Sequence, residues 1–358
     1  MNWITRSRRA GLGFVAGATV LAGSCLLGPW IGHAATPGDN GGGYTYSDRA
    51  EYMKKYLRPA GPEFPVANSY TEARELLGRT LFFDPRLSGS KFISCATCHN
   101  PGFAWGDGLP KGIGDGMKGL KRHTPTILNA AYGELMFRDG RADSLEAQAL
   151  GPIKSPAEMN QPLGQAVERI SSIPGYKPLF DKAYPGEPIS EETIAKAIAT
   201  FERTVVSGQA PFDRWIAGDE HAVSEPAKRG FDLFNHKAGC AQCHSGWNFT
   251  DSGFHDIGVN DDDLGRGALV KIEAMQHAFK TPTLRNVTLR APYLHNGSES
   301  SLVEVIDFYD AGGKAQRASL APEVHPLHLT SDEKADLFEF LRTLTSVEKP
   351  ATIPALPR

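Results

Sequence analysis

The sequence predicts a mostly α-helical protein built from two related domains. Apolar residues recur at helical spacing in several segments, whereas few segments alternate as a β-strand would. Two stretches of the chain are also similar to each other, which indicates an internal repeat. With 358 residues the chain is long enough for two compact domains, each with its own apolar core.

Three segments carry the clearest helical patterns: TEARELLGRTLFF at 71–83, SEETIAKAIATFERTVV at 190–206 and TSDEKADLFEFLRTL at 330–344. Ser190 is the predicted N-cap of the second. In the third, Thr330 and Glu333 form a predicted capping box, because their spacing lets each side chain bond the backbone N–H of the other. Residues 36–62 are rich in Gly, Pro and Tyr and are predicted to be a tail or linker.

The internal repeat pairs TPTILNAAYGELMFRDGRADSL at 124–145 with TPTLRNVTLRAPYLHNGSESSL at 281–302. Identical residues fall at one constant offset, 281 − 124 = 157. The matching residues are Thr124, Pro125, Asn129, Gly140, Ser144 and Leu145 in the first copy, and Thr281, Pro282, Asn286, Gly297, Ser301 and Leu302 in the second. Each copy follows a Cys-x-x-Cys-His pentad, so we expect residues 63–215 and 216–358 to form the two domains.

The two pentads, CATCH at 95–99 and CAQCH at 240–244, are the attachment signature of c-type haem. Two thiols bond covalently to the porphyrin, and the adjacent His ligates the iron. A four-cysteine zinc site is the alternative, but both pairs are followed directly by His and lie far apart in the chain. We therefore expect two cytochrome c-like haem domains. The covalently attached haems are assigned to Cys95, Cys98 and His99, and to Cys240, Cys243 and His244.

The N-terminus has the pattern of a secretory signal peptide over residues 1–35. Basic residues precede an apolar run, and cleavage is expected near Ala34 or Ala35. Export to the periplasm suits covalent haem attachment, and Cys25 would leave with the signal, so that no cysteine remains for a disulfide. An uncleaved span or a lipid anchor is the alternative. The net charge of −3 argues against nucleic-acid binding and against binding to anionic membranes.

The repeat also predicts that the two haems differ in their second axial position. Tyr309 lies on the inward face of the helical pattern LVEVIDFY at 302–309, where a second ligand would come from. Its equivalent in the first half, 309 − 157 = 152, is Pro152, which cannot ligate iron. We therefore expect an open iron at the first haem. A Tyr on this face is also compatible with a plain core position. Alternative ligands for the second haem are Met275, His255, His277 and His295.

An open haem needs an acid–base group to act on peroxide, and Glu158 stands six residues beyond Pro152 in the stretch GPIKSPAEMN. A carboxylate beside the open face would take a proton from one oxygen of hydrogen peroxide and return it to the other, so that water leaves. A Glu that follows a Pro at a turn is also often solvated or an N-cap. Glu158 and Pro152 are the candidate catalytic residues.

Six motifs span most of the chain: ELLGRTLFFDPRLS, CATCHNPGFAWGDG, TPTILNAAY, DGRADSLEAQALGPI, CAQCHSG and FKTPTLRNVTLRAPYLHNG. Together they resemble the bacterial dihaem cytochrome c peroxidase and MauG family. The resemblance implies a peroxide-reactive haem in the N-terminal domain and an electron-transfer haem in the C-terminal domain. It also implies that Glu158 is the distal acid–base residue and that Tyr309 is the second axial ligand of the C-terminal haem.

Two departures from typical peroxidases of the family point towards MauG. Tyr309 stands where those peroxidases have Met, and an anionic phenolate stabilises ferric iron more than a thioether does. Asp115 stands where they have a His that caps the N-terminal haem before reductive activation. The resemblance therefore implies a first haem that is open without prior reduction.

Three further positions bear on electron transfer and on metal binding. Arg138 replaces the Trp that lies between the haems in the family, and Trp105 or Trp247 would have to substitute as a bridge, unless both are structural. His123 replaces an Asn of the family's calcium site, so the sequence leaves calcium binding undecided. The acidic run at 261–263 is either a cation site or a solvated loop.

These features predict a periplasmic dihaem c-type peroxidase of MauG type. Hydrogen peroxide would be reduced at the N-terminal haem, with electrons relayed through the C-terminal haem from a small redox protein (cytochrome c or cupredoxin) or from a protein substrate. An ordinary cytochrome c peroxidase with a small cytochrome or copper-protein donor is one alternative, and a dihaem electron carrier is another. No nucleic-acid partner is expected, and a membrane partner only if the signal segment is retained.

Overall fold

The computed structural model describes residues 53–358, which lie in one compact unit. The predicted signal segment lies outside the described residues. The helices are α1 (Glu72–Phe82), α2 (Cys95–Cys98), α3 (Leu145–Lys154), α4 (Leu163–Ser171), α5 (Lys177–Ala183), α6 (Glu191–Thr204), α7 (Pro211–Ile216), α8 (Glu225–Asn235), α9 (Leu302–Asp310) and α10 (Ser331–Arg342). Two antiparallel strand pairs accompany them: β1 (Ile113–Gly114) with β2 (Lys118–Gly119), and β3 (Phe254–His255) with β4 (Phe279–Lys280). Within residues 53–358, no helix is both long and apolar enough to cross a membrane.

The first apolar core forms where α1 crosses α6. Leu77 and Leu81 of α1 are fully buried there and belong to the same apolar cluster as Ile198 of α6. Gly78 lies at the crossing, and a Cβ at this position would stand 1.9 Å from the backbone oxygen of Ala197. Any other residue would push the helices apart, so the glycine permits the close approach.

The second core forms in the same way where α8 crosses α10. A Cβ on Gly230 would stand 2.0 Å from the backbone oxygen of Asp336. Tyr56, in the segment predicted as a tail or linker, is fully buried in this core. Its ring lies 5.8 Å from that of Phe212 and 5.1 Å from that of Phe249. The C-terminal core thus takes an aromatic side chain from the start of the described chain.

The two copies of the sequence repeat also have the same backbone conformation at equivalent residues. Asn129 and Asn286 both adopt the left-handed conformation, with φ of 61° and 56°, and each begins a short 3₁₀ turn. The Asn129 side-chain oxygen accepts a hydrogen bond of 2.9 Å from the backbone N–H of Ser207. The Asn286 side-chain oxygen accepts one of 2.8 Å from the backbone N–H of Ser346. Equivalent residues therefore fix equivalent loops in the two halves.

The end of each repeat starts a helix. Ser144 caps α3 and Ser301 caps α9, each accepting a hydrogen bond of 3.2 Å from the backbone N–H three residues on. Two β-bridges, Met136 with Ala142 and Tyr293 with Glu299, also differ by the offset of 157. The predicted fold class, mostly α with two related cytochrome c-like domains, is confirmed.

The predicted helix starts are also confirmed. The Ser190 hydroxyl accepts from the backbone N–H of Thr193 at 3.2 Å. At the start of α10 the capping box is complete: the backbone N–H of Glu333 donates to Thr330 Oγ1 at 3.3 Å, and that of Thr330 donates to Glu333 Oε2 at 2.7 Å.

Candidate active site

A cavity of about 1320 Å³ brings the predicted site residues together. Two of the alternative iron ligands, Met275 and His277, do not line this cavity. Its lining includes Cys95, Cys98, His99, Pro152, Glu158, Cys240, Cys243, His244 and Tyr309. The fold thus brings both pentads together with Pro152, Glu158 and Tyr309 in one space.

The first pentad folds as the single helical turn α2, capped by Ser94. His99 follows this turn, and its Nδ1 lies 3.2 Å from the backbone oxygen of Trp105. A carbonyl can only accept, so Nδ1 carries the proton and Nε2 keeps its lone pair. Burial lowers the pKa of His99, which favours the neutral imidazole that a metal needs.

The second pentad repeats this scheme. Gly239, with φ of 62°, turns the chain into a 3₁₀ turn over Cys240–Gln242. His244 Nδ1 lies 2.9 Å from the backbone oxygen of Phe249, and burial lowers the pKa of this imidazole too. Both histidines are therefore oriented and neutral in the same way, with Nε2 left as the donor atom.

The four cysteines among the described residues form no disulfide and do not converge on a common point. In the described part of the chain, the one compact group of three or more potential metal ligands is Cys243, Asp251 and His255. Burial raises the pKa of the Cys98 thiol to about 11 and that of Cys240 to about 12, so both are neutral thiols. A four-cysteine zinc site is excluded by this arrangement.

Tyr309 and Pro152 occupy equivalent positions on α9 and α3, and both line the cavity. Burial and the nearby sulfurs of Cys240 and Cys243 raise the pKa of the Tyr309 phenol. The phenol therefore lies close to the second pentad. Pro152 offers only a ring at the same place in the first half.

The two histidines that line the cavity as alternatives to Tyr309 are already engaged. His255 Nε2 lies 2.8 Å from Asp251 Oδ2. His295 Nε2 lies 2.7 Å from Asp261 Oδ2, and its ring stacks on Phe279 at 3.7 Å. Both histidines thus use Nε2 in a hydrogen bond to an Asp, whereas no hydrogen bond of the Tyr309 hydroxyl is present among the described residues.

Glu158 lies in the turn that follows α3, and its backbone is held from two sides. Its carbonyl accepts from the N–H of Asp115 at 2.6 Å, and its N–H donates to Ser155 at 3.1 Å. A Cβ on Gly114 would stand 1.8 Å from the oxygen of Ala157, so only glycine lets β1 approach this turn so closely. These contacts fix where the Glu158 carboxylate enters the cavity.

Asp115 has a structural role rather than an iron-capping one. The residue is buried, accepts from Asn160 Nδ2 at 3.2 Å, and does not line the cavity. Hydrogen bonds from Ser90 and Asn160 lower the pKa of its carboxyl. Its side chain ties β1 to the turn that carries Glu158.

Two further cavity residues were missed by the sequence analysis. Gln148 lies one helical turn before Pro152 on α3, so the spacing of four residues places it on the same face. Glu202 of α6 also lines the cavity and is buried. The Gln148 position is recoverable from helical spacing, whereas nothing in the sequence around Glu202 indicates a polar residue facing inward.

Several cations line the cavity, and three of them, Arg138, Lys280 and Arg290, form no ion pair among the described residues. Arg138 Nε donates to the backbone oxygen of His123 at 2.9 Å, Arg290 Nη2 to that of Thr283 at 2.6 Å, and Lys280 Nζ bonds the oxygen of Leu135 at 2.5 Å. Burial lowers the pKa of Arg138 to about 9 and that of Lys280 to about 8. Half-buried cations without counterions call for an anionic ligand.

A c-type haem fits these residues. Each pentad supplies two thiols for the porphyrin and an oriented imidazole for the iron. The propionate groups of haem are carboxylates, which match the unpaired cations of the cavity. The cavity residues therefore suit two haems in chemistry and in charge.

The surroundings of His123 do not favour calcium. Its Nδ1 lies 2.7 Å from the oxygen of Leu109, and burial, followed by the charges of Arg138 and Arg290, lowers its pKa to about 4. Nearby guanidinium groups repel a divalent cation. The acidic run at 261–263 is also occupied, since Asp261 pairs with His295 and Asp263 with Arg122.

Neither tryptophan considered as a bridge lines the cavity. Trp105 packs against Phe82 and Phe201 of the first core, with ring centroids 6.1 and 6.0 Å away. Trp247 meets the ring of Tyr132 edge-on at 4.6 Å. This packing agrees with a structural role for Trp105 in the first core.

Comparisons with known proteins agree with this geometry. Residues 72–221 match the family of di-haem cytochrome c peroxidases, and residues 227–345 match the cytochrome c family. The chain is 50% identical over 314 residues to methylamine utilization protein MauG of Methylorubrum extorquens, covering 87% of this chain and 89% of that protein. It is 35% identical over 298 residues to cytochrome c551 peroxidase of Pseudomonas aeruginosa, covering 80% and 83% of the two chains.

A solved structure of a MauG-like protein associated with microbial copper homeostasis has the same fold. It superposes with a TM-score of 0.75 at 33% identity, covering 81% of this chain and 94% of that one. The matches imply two c-type haems and the oxidoreductase chemistry of a haem peroxidase. The chain therefore belongs to the bacterial dihaem cytochrome c peroxidase and MauG family.

Proposed function

We propose that this protein is a periplasmic, MauG-like peroxidase that reduces hydrogen peroxide in its N-terminal domain and oxidises a protein partner. One haem would be attached covalently through Cys95 and Cys98 and ligated by His99, and the other through Cys240 and Cys243 with His244. The oriented, neutral imidazoles support this assignment, because each leaves Nε2 for iron.

A bound haem iron supplies the redox centre at which the O–O bond of peroxide is broken. Glu158 handles the protons: its carboxylate takes one from the nearer peroxide oxygen and returns it to the farther one, so that water leaves. Over the whole reaction, H₂O₂ takes up two electrons and two protons and becomes two waters. The electrons come from the protein partner by way of the second haem site.

The observation that carries the proposal is the unequal use of one helical position. Pro152 and Tyr309 stand at equivalent places on α3 and α9, within one cavity. Pro152 would offer no ligand atom to an iron held by His99, while the phenol of Tyr309 lies beside the second pentad. Glu158 follows the helix that carries the proline, which is where acid–base help is needed.

A protein substrate is favoured by Tyr309 and by the similarity to a MauG protein named for methylamine utilization. Phenolate ligation stabilises oxidised iron, so the second haem would store oxidising equivalents rather than accept electrons at high potential. The second candidate is an ordinary cytochrome c peroxidase, favoured by the 35% identity to cytochrome c551 peroxidase. Its donor would be a small cytochrome or copper protein.

Mass spectrometry and electron paramagnetic resonance test the proposal. The denatured mature protein should carry two haem additions, and one addition or none would contradict it. The oxidised protein as isolated should contain one high-spin haem, five-coordinate or water-bound, and one low-spin haem. Two low-spin haems would instead support an electron carrier, or a peroxidase that needs reductive activation.

A donor assay separates the two enzyme candidates. Reduced small cytochromes and copper proteins are offered in turn with hydrogen peroxide, and steady-state oxidation of the donor is followed. We expect slow turnover with all of them. Fast turnover with one donor would make the ordinary cytochrome c peroxidase the better assignment.

A further inference from the structure

Glu202 is a buried acid that the proposed mechanism does not use. It lies near the end of α6, exposes 4% of its surface, and lines the cavity together with Ile198 one turn earlier. Its Oε2 is fully buried and has no hydrogen-bond partner among the described residues. A buried carboxyl oxygen without a donor is costly if the group is ionised.

The charged neighbours of Glu202 do not neutralise it. Arg203 is held in a bidentate pair by Glu146, with distances of 2.7 and 2.9 Å, and Glu146 also accepts from Asn68 at 2.7 Å. The Arg203 and Glu146 charges act on Glu202 in opposite directions. From the side of α2, the facing group is the Cys95 sulfur, which senses the charges of both Glu202 and Glu158.

Burial raises the pKa of Glu202 to about 8. At neutral pH this shift favours the protonated, uncharged form of the carboxyl. A haem bound through Cys95 would displace water from this part of the cavity and bring the iron charge near the carboxyl. In a medium of low dielectric constant, a change in that charge acts strongly on a neighbouring acid.

We propose that Glu202 is a redox-linked proton group of the first haem site, an inference that rests on haem attachment at Cys95 and Cys98. At alkaline pH, where Glu202 is ionised, the gain of one electron by a haem held at this site would lead the Glu202 carboxylate to bind one proton from solvent. When the iron loses that electron, the proton is released. The exchange keeps the net charge of the buried site nearly constant, which lowers the cost of each electron transfer.

Potentiometric titration of the first haem at a series of pH values tests the proposal. The reduction potential of the unmodified protein should be flat in the acidic range and fall above about pH 8, by about 59 mV for each tenfold fall in proton concentration. In Glu202→Gln the side chain stays neutral, so the potential should remain flat over the same range. Glu168→Gln, an exposed change on α4, should behave as the unmodified protein does.

A flat potential in the unmodified protein, or an unchanged fall in Glu202→Gln, would overturn the inference. If Glu202→Gln does not accumulate, infrared difference spectra of the unmodified protein decide. Reduction at alkaline pH should create the carbonyl band of a protonated carboxylic acid, and its absence would count against Glu202. Haem counts separate the two proposals: loss of the first haem refutes the proposed function, whereas a flat potential with both haems present refutes only this inference.

Discussion

Replacing Glu158 with Gln is expected to slow the reaction of the oxidised protein with hydrogen peroxide by about 10² to 10⁴. Gln nearly keeps the shape of Glu, and the hydrogen bonds that hold this turn use backbone atoms of residue 158. No ion pair in residues 53–358 involves the Glu158 carboxylate. The variant should therefore fold normally, and the lost rate corresponds to about 2.7 to 5.4 kcal/mol of barrier, at about 1.36 kcal/mol for each tenfold change.

Rapid-mixing absorbance measurements of the haem bands give the rate, and the haem content is measured in the same samples. Glu134→Gln is the matched control, because that glutamate is exposed. Gly114→Ala is a second perturbation: its Cβ would collide with the Ala157 oxygen at 1.8 Å, so the turn must shift while the carboxylate remains. It should also slow the reaction. A Glu158→Gln protein that reacts within about twofold of the unmodified rate would refute the acid–base role.

Three further predictions concern the second haem, calcium and pH. Tyr309→Met should raise the reduction potential of the second haem, since a thioether favours ferrous iron; an unchanged potential in redox titration would assign the ligand elsewhere. Treatment with EDTA should leave haem spectra and peroxide turnover unchanged, because the positive charges of Arg138 and Arg290 beside His123 disfavour a calcium ion there. Loss of turnover that calcium restores would contradict this.

The raised pKa of Glu202 means that the folded state holds a proton that the unfolded state has released between pH 4.5 and about 8. The unfolding free energy should therefore fall, relative to Glu202→Gln, as pH rises through that window, and urea titrations at several pH values measure the difference.

Local signals made much of the fold predictable from the sequence. The pentads, the N-caps and the constant offset of 157 each depend on residues close together in the chain, and the structure has the helices and caps where those signals predict them. Tyr309 and Pro152 could be paired because a repeat transfers one position onto another. Gln148 was equally accessible, since it precedes Pro152 by four residues on one helix.

Residues that matter through distant contacts left no such signal. Arg138, Lys280 and Arg290 come from separate segments of the chain, and only the folded chain shows that they share a cavity without counterions. Tyr56 stands in a Gly- and Pro-rich stretch, yet the second core buries it. Glu202 follows a strongly apolar part of α6, and its inward direction depends on how that helix packs against α1.

The two halves of the chain share one scaffold and differ at few positions around the candidate site. Both halves use the same Asn-anchored loop, the same Ser-capped helix and the same carbonyl-oriented His. The backbone frame that positions a haem is therefore nearly constant between them. What differs is the chemistry at one helical position, Pro152 against Tyr309, and the turn after α3 that carries Glu158. In the proposed function, an open iron with an acid–base group nearby would react with peroxide and a closed iron would transfer electrons, so the proposed division of labour would follow from side chains rather than from a change of fold.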